Sequence, residues 1–313
     1  MPANSTPDSP SCGGVFAAAI TPLNTDFSIN ETALVSHCRW LLKNGCNGLA
    51  VLGTTGEANS FSLQERMGII DTLIDAGVPG GALMPGTGCC SIPETVTLSA
   101  HAVDNGAAGV LMLPPFYYKG VSDDGLFAAY SEVIERVGDA RLRVYLYHFP
   151  QMSATPISWD LIERLLARYP GTIAGMKDSS GDYANMSGVA KRFPGFGVFT
   201  GSDEFLSPLL GDGGVGCITA VANIASNLAA QVYAAWGAGD TAAMDAAQAN
   251  LSAVRDAVSS YPLFAALKDI IADHLGDATL RTVRPPLVAL DPGQAAELAK
   301  QLDQSGHTLA AVG

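Results

Sequence analysis

The feature that most limits how this chain can fold is a theme repeated along its first three quarters. A short apolar run is followed by a break of glycine, proline or small polar residues, then by a longer stretch of helical periodicity. The apolar runs fall at 14–20, 48–52, 81–84, 107–113, 142–147, 172–177, 196–200 and 215–220. Helical stretches follow at 30–42, 62–76, 91–105, 123–137, 158–168, 182–192, 204–210 and 226–236. Asn30 stands where it can cap its helix, and Ser62 with Glu65 has the spacing of a capping box. Strand-then-helix units in unbroken succession dictate a parallel sheet. Eight of them fit a closed (β/α)8 TIM barrel, an α/β fold, better than an open doubly wound sheet.

From about residue 240 the pattern is only helical, with Ala-rich segments at 241–259, 261–275 and 293–304. The division expected is a tail at 1–12, a barrel at 13–237 and a C-terminal helical extension at 238–313. The tail is rich in Pro and Ser and has neither a basic start nor an apolar core, so no secretory signal is expected. No apolar run approaches the length of a membrane span. The chain is 48% hydrophobic and 15% charged, enough to bury a large core. Its net charge of −13 argues against nucleic acid or an anionic membrane as partner. The six cysteines are scattered without a Cys-x-x-Cys pair, which suits a reducing compartment, and a cytoplasmic location is expected.

In a barrel of this kind chemistry sits at the C-terminal ends of the strands. The sixth run ends Gly175-Met176-Lys177-Asp178, and strand alternation puts Gly175 and Lys177 on one face. Gly175 leaves space there for the lysine stem. Taken alone, the stretch admits an inert lysine paired with Asp178, or a buried amine held ready as a nucleophile. The second run ends in Gly53-Thr54-Thr55-Gly56-Glu57, a turn that could also hold a carboxylate by backbone amides and a hydroxyl. Tyr147, at the end of the fifth run, is either packing or a proton shuttle beside the amine. The histidines are dispersed and only His148 falls at a strand end, so no metal is expected.

Taken together, Gly53-Thr54-Thr55-Gly56-Glu57, Tyr117, Tyr147-His148-Phe149-Pro150, Gly175-Met176-Lys177-Asp178 and Gly201-Ser202-Asp203 resemble the dihydrodipicolinate synthase / N-acetylneuraminate lyase family. Order and spacing match over nearly the whole chain. The resemblance implies a lyase on a TIM barrel with a C-terminal helical extension, usually tetrameric, that joins a lysine to pyruvate or a related 2-oxo acid as a Schiff base without metal or cofactor. It implies Lys177 as the Schiff-base lysine, Tyr147 as acid/base, Thr54 as relay and Tyr117 as a third hydroxyl, which in many relatives comes from a neighbouring subunit. It implies Thr55, Gly201, Asp203, Glu204 and Ile218 as substrate-binding, with Thr55 on the carboxylate and the Ile218 carbonyl facing the site.

The match loosens at Met152, where family members that make dihydrodipicolinate carry an arginine. Tyr-His-Phe-Pro and the Asp203-Glu204 pair resemble the sialic acid lyase side, although Ala220 stands where that side keeps a hydroxyl. The expectation is a class I lyase or aldolase acting on a 2-oxo acid of the 2-oxo-3-deoxy sugar acid kind, with an aldehyde-type partner. The alternatives are a dihydrodipicolinate synthase with another carboxylate anchor, and a binding protein derived from the family.

Overall fold

The computed structural model describes residues 12–311. Most of the expected tail at 1–12 lies outside the described residues. Seven parallel strands form one sheet: β1 (Gly14–Ala17), β2 (Gly48–Leu49), β3 (Val110–Met112), β4 (Val144–His148), β5 (Ile173–Asp178), β6 (Gly197–Thr200) and β7 (Gly216–Thr219). Their order is β2-β1-β7-β6-β5-β4-β3.

The third expected run does not form a regular strand. Pro79 and two glycines shape it as a 3₁₀ turn, Gly80–Ala82, and Pro85 has no N–H to offer a ladder. The segment 83–87 nevertheless stands between β2 and β3 and bonds both. The Met84 and Gly86 amides donate to Leu49 and Val51 carbonyls at 2.9 Å, and the Ala108 and Leu111 amides donate to Leu83 and Pro85 at 2.9 Å. A hydrogen-bonded path therefore runs all the way round the ring. The second run is also cut short, because Leu52 adopts a left-handed φ of 58° that turns the chain.

Helices follow the strands as the periodicity predicts. Asn30 caps Glu31–Lys43, and Ser62 with Glu65 closes a full capping box on Leu63–Asp75. Each helix lays its apolar stripe on the outer face of the sheet, as Leu34, Cys38 and Leu41 do on the first. The inner face is a second, smaller cluster: Phe16, Met84, Leu111, Tyr145, Tyr147, Phe199 and Ile218 are all buried in it. Helices Thr241–Ser259, Leu263–Leu275 and Pro292–Gln304 complete the C-terminal part. Among the described residues no helix is long and apolar enough to cross a membrane, and all six cysteines are free.

Candidate active site

Register sets the centre of the site. Tyr145 on β4 pairs with Gly175 on β5, and Tyr147 with Lys177, so alternation sends all four to the inner face. Gly175 is required by its neighbour, since a Cβ there would meet the Tyr145 ring at 2.7 Å and the Gly197 carbonyl at 2.2 Å. The space left by the glycine is thus filled by tyrosine rather than by the lysine stem. Lys177 is buried, its Nζ donates to the Tyr147 hydroxyl at 3.3 Å, and it lies 4.4 Å from the centre of that ring.

Asp178 is not its partner. That carboxylate faces the other way and accepts from the Ser180 amide at 2.8 Å and from the Asn185 side chain at 2.8 Å. No acidic group lies within ion-pair distance of Lys177 among the described residues. The expected pair with Asp178 is therefore not formed, and Lys177 is a buried amine with only a phenol beside it.

The Tyr147 hydroxyl is a hub, because it also lies 3.3 Å from the Thr54 hydroxyl. Thr54 comes from the turn after β2, and Thr55 beside it is buried. The Thr54 and Thr55 amides donate to no acceptor among the described residues, while the Glu57 amide closes the turn on the Thr54 carbonyl at 3.1 Å. Unspent amides in a tight turn suit a carboxylate. Behind Thr54 and Tyr147 lies a cavity of about 20 Å³, room for one water, bounded also by Arg66, Gly86 and Gly88. Arg66 is buried, donates to the Gly86 carbonyl at 2.8 Å and to Cys89 Sγ at 3.0 Å, and keeps Nε–H unused.

The remaining expected residues separate. Ile218 is buried in the inner cluster, and Gly201 closes on β5, its amide donating to the Asp178 carbonyl at 2.6 Å. A Cβ at Gly201 would strike Ser179 Oγ at 2.0 Å, so glycine is needed for this approach. Glu204 is about half exposed and accepts from the Ser202 hydroxyl at 3.0 Å. Asp203 is not brought to Lys177. It is 1% exposed beside Thr219, Cys217 and Arg255, and Thr219 and Cys217 alternate with inward-facing Ile218. Its carboxylate therefore stands on the outer side of β7, and neither its oxygens nor the Thr219 hydroxyl makes a hydrogen bond of good geometry. Burial holds the carboxyl above the usual range, with Thr219 and Arg255 opposing.

Tyr117 is likewise outside the group within one chain. It is 73% exposed, with its ring edge-on to Tyr118 at 5.4 Å. Met152 is 56% exposed on the short helix Pro150–Ser153. His148 is a structural group: Nδ1 accepts from the Ile157 amide at 3.1 Å, and burial keeps its pKa below the ordinary value.

One constellation escaped the sequence. Glu57, last residue of the Thr54 turn, and Lys268, inside the apolar helix Leu263–Leu275, form an ion pair whose side chains have no exposure. Lys268 Nζ also donates to the Thr282 carbonyl at 2.8 Å, and the Arg284 amide donates to the other Glu57 oxygen at 2.9 Å. Burial pulls the Lys268 pKa down while Glu57 opposes the shift. Breaking one side of such a pair costs on the order of 3–5 kcal/mol. A lysine beside Asp269 in a mostly apolar helical run was the available signal, but its partner lies 211 positions away.

Residues 11–305 match the Dihydrodipicolinate synthetase family. The chain is 35% identical over 286 residues to an uncharacterized DapA-like lyase of Chloroflexus aurantiacus, covering 91% of this chain and 94% of that one. It superposes on dihydrodipicolinate synthase of Agrobacterium tumefaciens with TM-score 0.87 at 30% identity, over 95% of this chain and 100% of that one. It is also similar to YagE of E. coli K12, a prophage protein of the same family solved in complex with pyruvate, with TM-score 0.85 at 28% identity over 94% and 98% of the two chains. A barrel-like parallel sheet, a buried lysine on its inner face and a match over almost every described residue lead to one conclusion: the chain belongs to the dihydrodipicolinate synthetase family of lyases.

Proposed function

We propose that the protein is a class I lyase or aldolase that joins Lys177 to pyruvate or a related 2-oxo acid as a Schiff base. The observation that carries this reading is the line Lys177–Tyr147–Thr54, a buried amine with two hydroxyls in series, ending at a turn with unspent amides. In this reading the Thr54 and Thr55 turn receives the carboxylate, and Ile218 and Gly201 border the substrate. The Lys177 amine adds to the C2 carbonyl, and Tyr147 gives a proton to the oxygen that leaves as water. The protonated imine then draws electrons from a C3–H or C3–C4 bond, leaving an enamine. Tyr147 and Thr54 move the released proton, so the chemistry needs neither metal nor cofactor.

The partner is read as an aldehyde, and the product as a 2-oxo sugar acid. Met152 offers no cation, while Glu204, about half exposed, offers a hydroxyl acceptor. Asp203, turned outward, is left out of this role. Exposed Tyr117 supports a homo-oligomer, dimer or tetramer, in which it completes a neighbour's hydroxyl line. The helices of 238–313 are assigned to an extension of the barrel.

Borohydride with pyruvate tests the central step. The expected result is a reduced pyruvyl adduct on the peptide holding Lys177, absent from Lys177→Ala and from Lys177→Arg, whose guanidinium cannot attack a carbonyl. An adduct that forms equally on Lys177→Ala overturns the assignment.

A further inference from the structure

We infer that Lys268 and Glu57 are positioning residues for the substrate carboxylate: the buried ion pair holds the Thr54–Thr55 turn in the shape whose free amides accept it. This rests on the assignment of that turn to the 2-oxo acid carboxylate. Glu57 has a left-handed φ of 57° although it is not glycine, a conformation that persists only when the surroundings over-determine it. Three bonds determine it here. The Glu57 amide donates to the Thr54 carbonyl, one carboxylate oxygen takes Lys268 and the other takes the Arg284 amide. The Arg284 guanidinium adds an outer brace, donating to the carbonyls of Phe27 at 2.8 Å and Ser60 at 2.6 Å. The turn is thus gripped by Lys268 of the helix Leu263–Leu275 and by Arg284 of the segment that follows Ala278–Arg281.

The choice of side chains fits this task better than packing alone. Lys268 sits among Ala266, Leu267, Ile270 and Ile271, all buried, where an aliphatic residue would pack without desolvating a charge. A lysine there supplies three donors on one point, and two are used, on Glu57 and Thr282. Glutamate supplies two acceptors that join two separate segments to the turn. Neither residue touches the reacting atoms, so both act through Thr54 and Thr55.

The test compares pyruvate with methyl pyruvate, which has the same ketone and no anionic carboxylate. Deuterium exchange into the methyl group in D2O, followed by NMR, reports enamine formation for both without any partner aldehyde. In full-length Lys268→Met, and in Glu57→Gln/Lys268→Met, which leaves no buried charge unpaired, KM for pyruvate should rise about tenfold or more while kcat changes less than about threefold. KM for methyl pyruvate should stay within about twofold of the unsubstituted protein. Lys268→Gln, neutral but still a donor to Glu57, supplies the same reading where Lys268→Met does not fold. Equal losses for the two substrates mean a merely structural pair, and an unchanged pyruvate KM means none of this positioning; either result overturns the proposal. If the unsubstituted protein gives no Lys177 adduct with borohydride, the Schiff-base reading itself falls. A normal adduct with an unmoved KM ratio removes only the role of Lys268 and Glu57.

Discussion

Tyr147→Phe removes one oxygen atom and tests the hub of the site. That oxygen accepts from Lys177 at 3.3 Å and shares a hydrogen with Thr54 at 3.3 Å, and Lys177 has no other bonded partner among the described residues. The ring would keep its place, because it stacks on Phe149 at 5.8 Å and is packed in the inner cluster. The substitution therefore removes the proton carrier and little of the packing. Loss of a positioned acid/base costs about 10²–10⁴ in rate, or roughly 3–5 kcal/mol of barrier. The stability cost is bounded by the buried polar groups left without a partner, about 1–3 kcal/mol. Deuterium exchange into the pyruvate methyl group should fall by that factor, with a cooperative unfolding transition retained. Thr54→Val, which removes one of the two bonds, should lose only about tenfold. Exchange in Tyr147→Phe within about threefold of the unsubstituted protein would refute the hydroxyl line as the route of the proton.

Other expectations concern the edges of the site and the core. Mixing inactive Tyr117→Phe with inactive Lys177→Ala chains under exchange conditions should restore some turnover, and a fully active monomer in sedimentation would exclude a hydroxyl donated across an interface. Met152→Arg should raise the specificity constant for aspartate semialdehyde by roughly tenfold and leave borohydride trapping of pyruvate unchanged. Efficient turnover of that aldehyde by the unsubstituted protein would show another cation at work. Burial holds His37 neutral, with its pKa lowered to about 4, and its ring bonds the Asn223 side-chain oxygen at 3.0 Å. The unfolded chain takes up this proton as pH falls through about 6.5, the folded one only near 4, so stability falls across that window by about 3 kcal/mol and is flat above it. Denaturant unfolding of the protein and of His37→Gln between pH 7.5 and 4.5 checks it, the variant being expected to show the shallower slope.

Much of this architecture is legible in short-range pattern. The caps at Asn30 and Ser62, the alternation that puts Gly175 and Lys177 on one face, and the breaks at strand ends are all local properties. What pattern could not supply depends on distant neighbours. Gly175 looks like room for a lysine until the Tyr145 ring arrives from the adjacent strand. Asp203 follows a glycine and a serine that reset the direction of the chain, so alternation along β6 no longer says which way its carboxylate turns. The run 81–84 reads as a strand by hydropathy, but its glycines and Pro85 beyond it withhold the regular ladder.

That irregular segment gives the ring an unequal circumference. On one side β4, β5 and β6 run alongside each other for four to five registered pairs; on the other, β2 offers two residues and its neighbour only isolated bridges. Opening free energy follows local bonding and burial, so the seam between β2 and β3 is expected to part, and its amide hydrogens to exchange, before the β4–β5–β6 side does. The seam ends at Leu52, directly before the turn that carries Thr54, and it borders the water-sized cavity at Arg66. Breathing of the fold and looseness of the carboxylate turn therefore share one hinge line, and a substitution that tightens the seam would stiffen the pocket from behind.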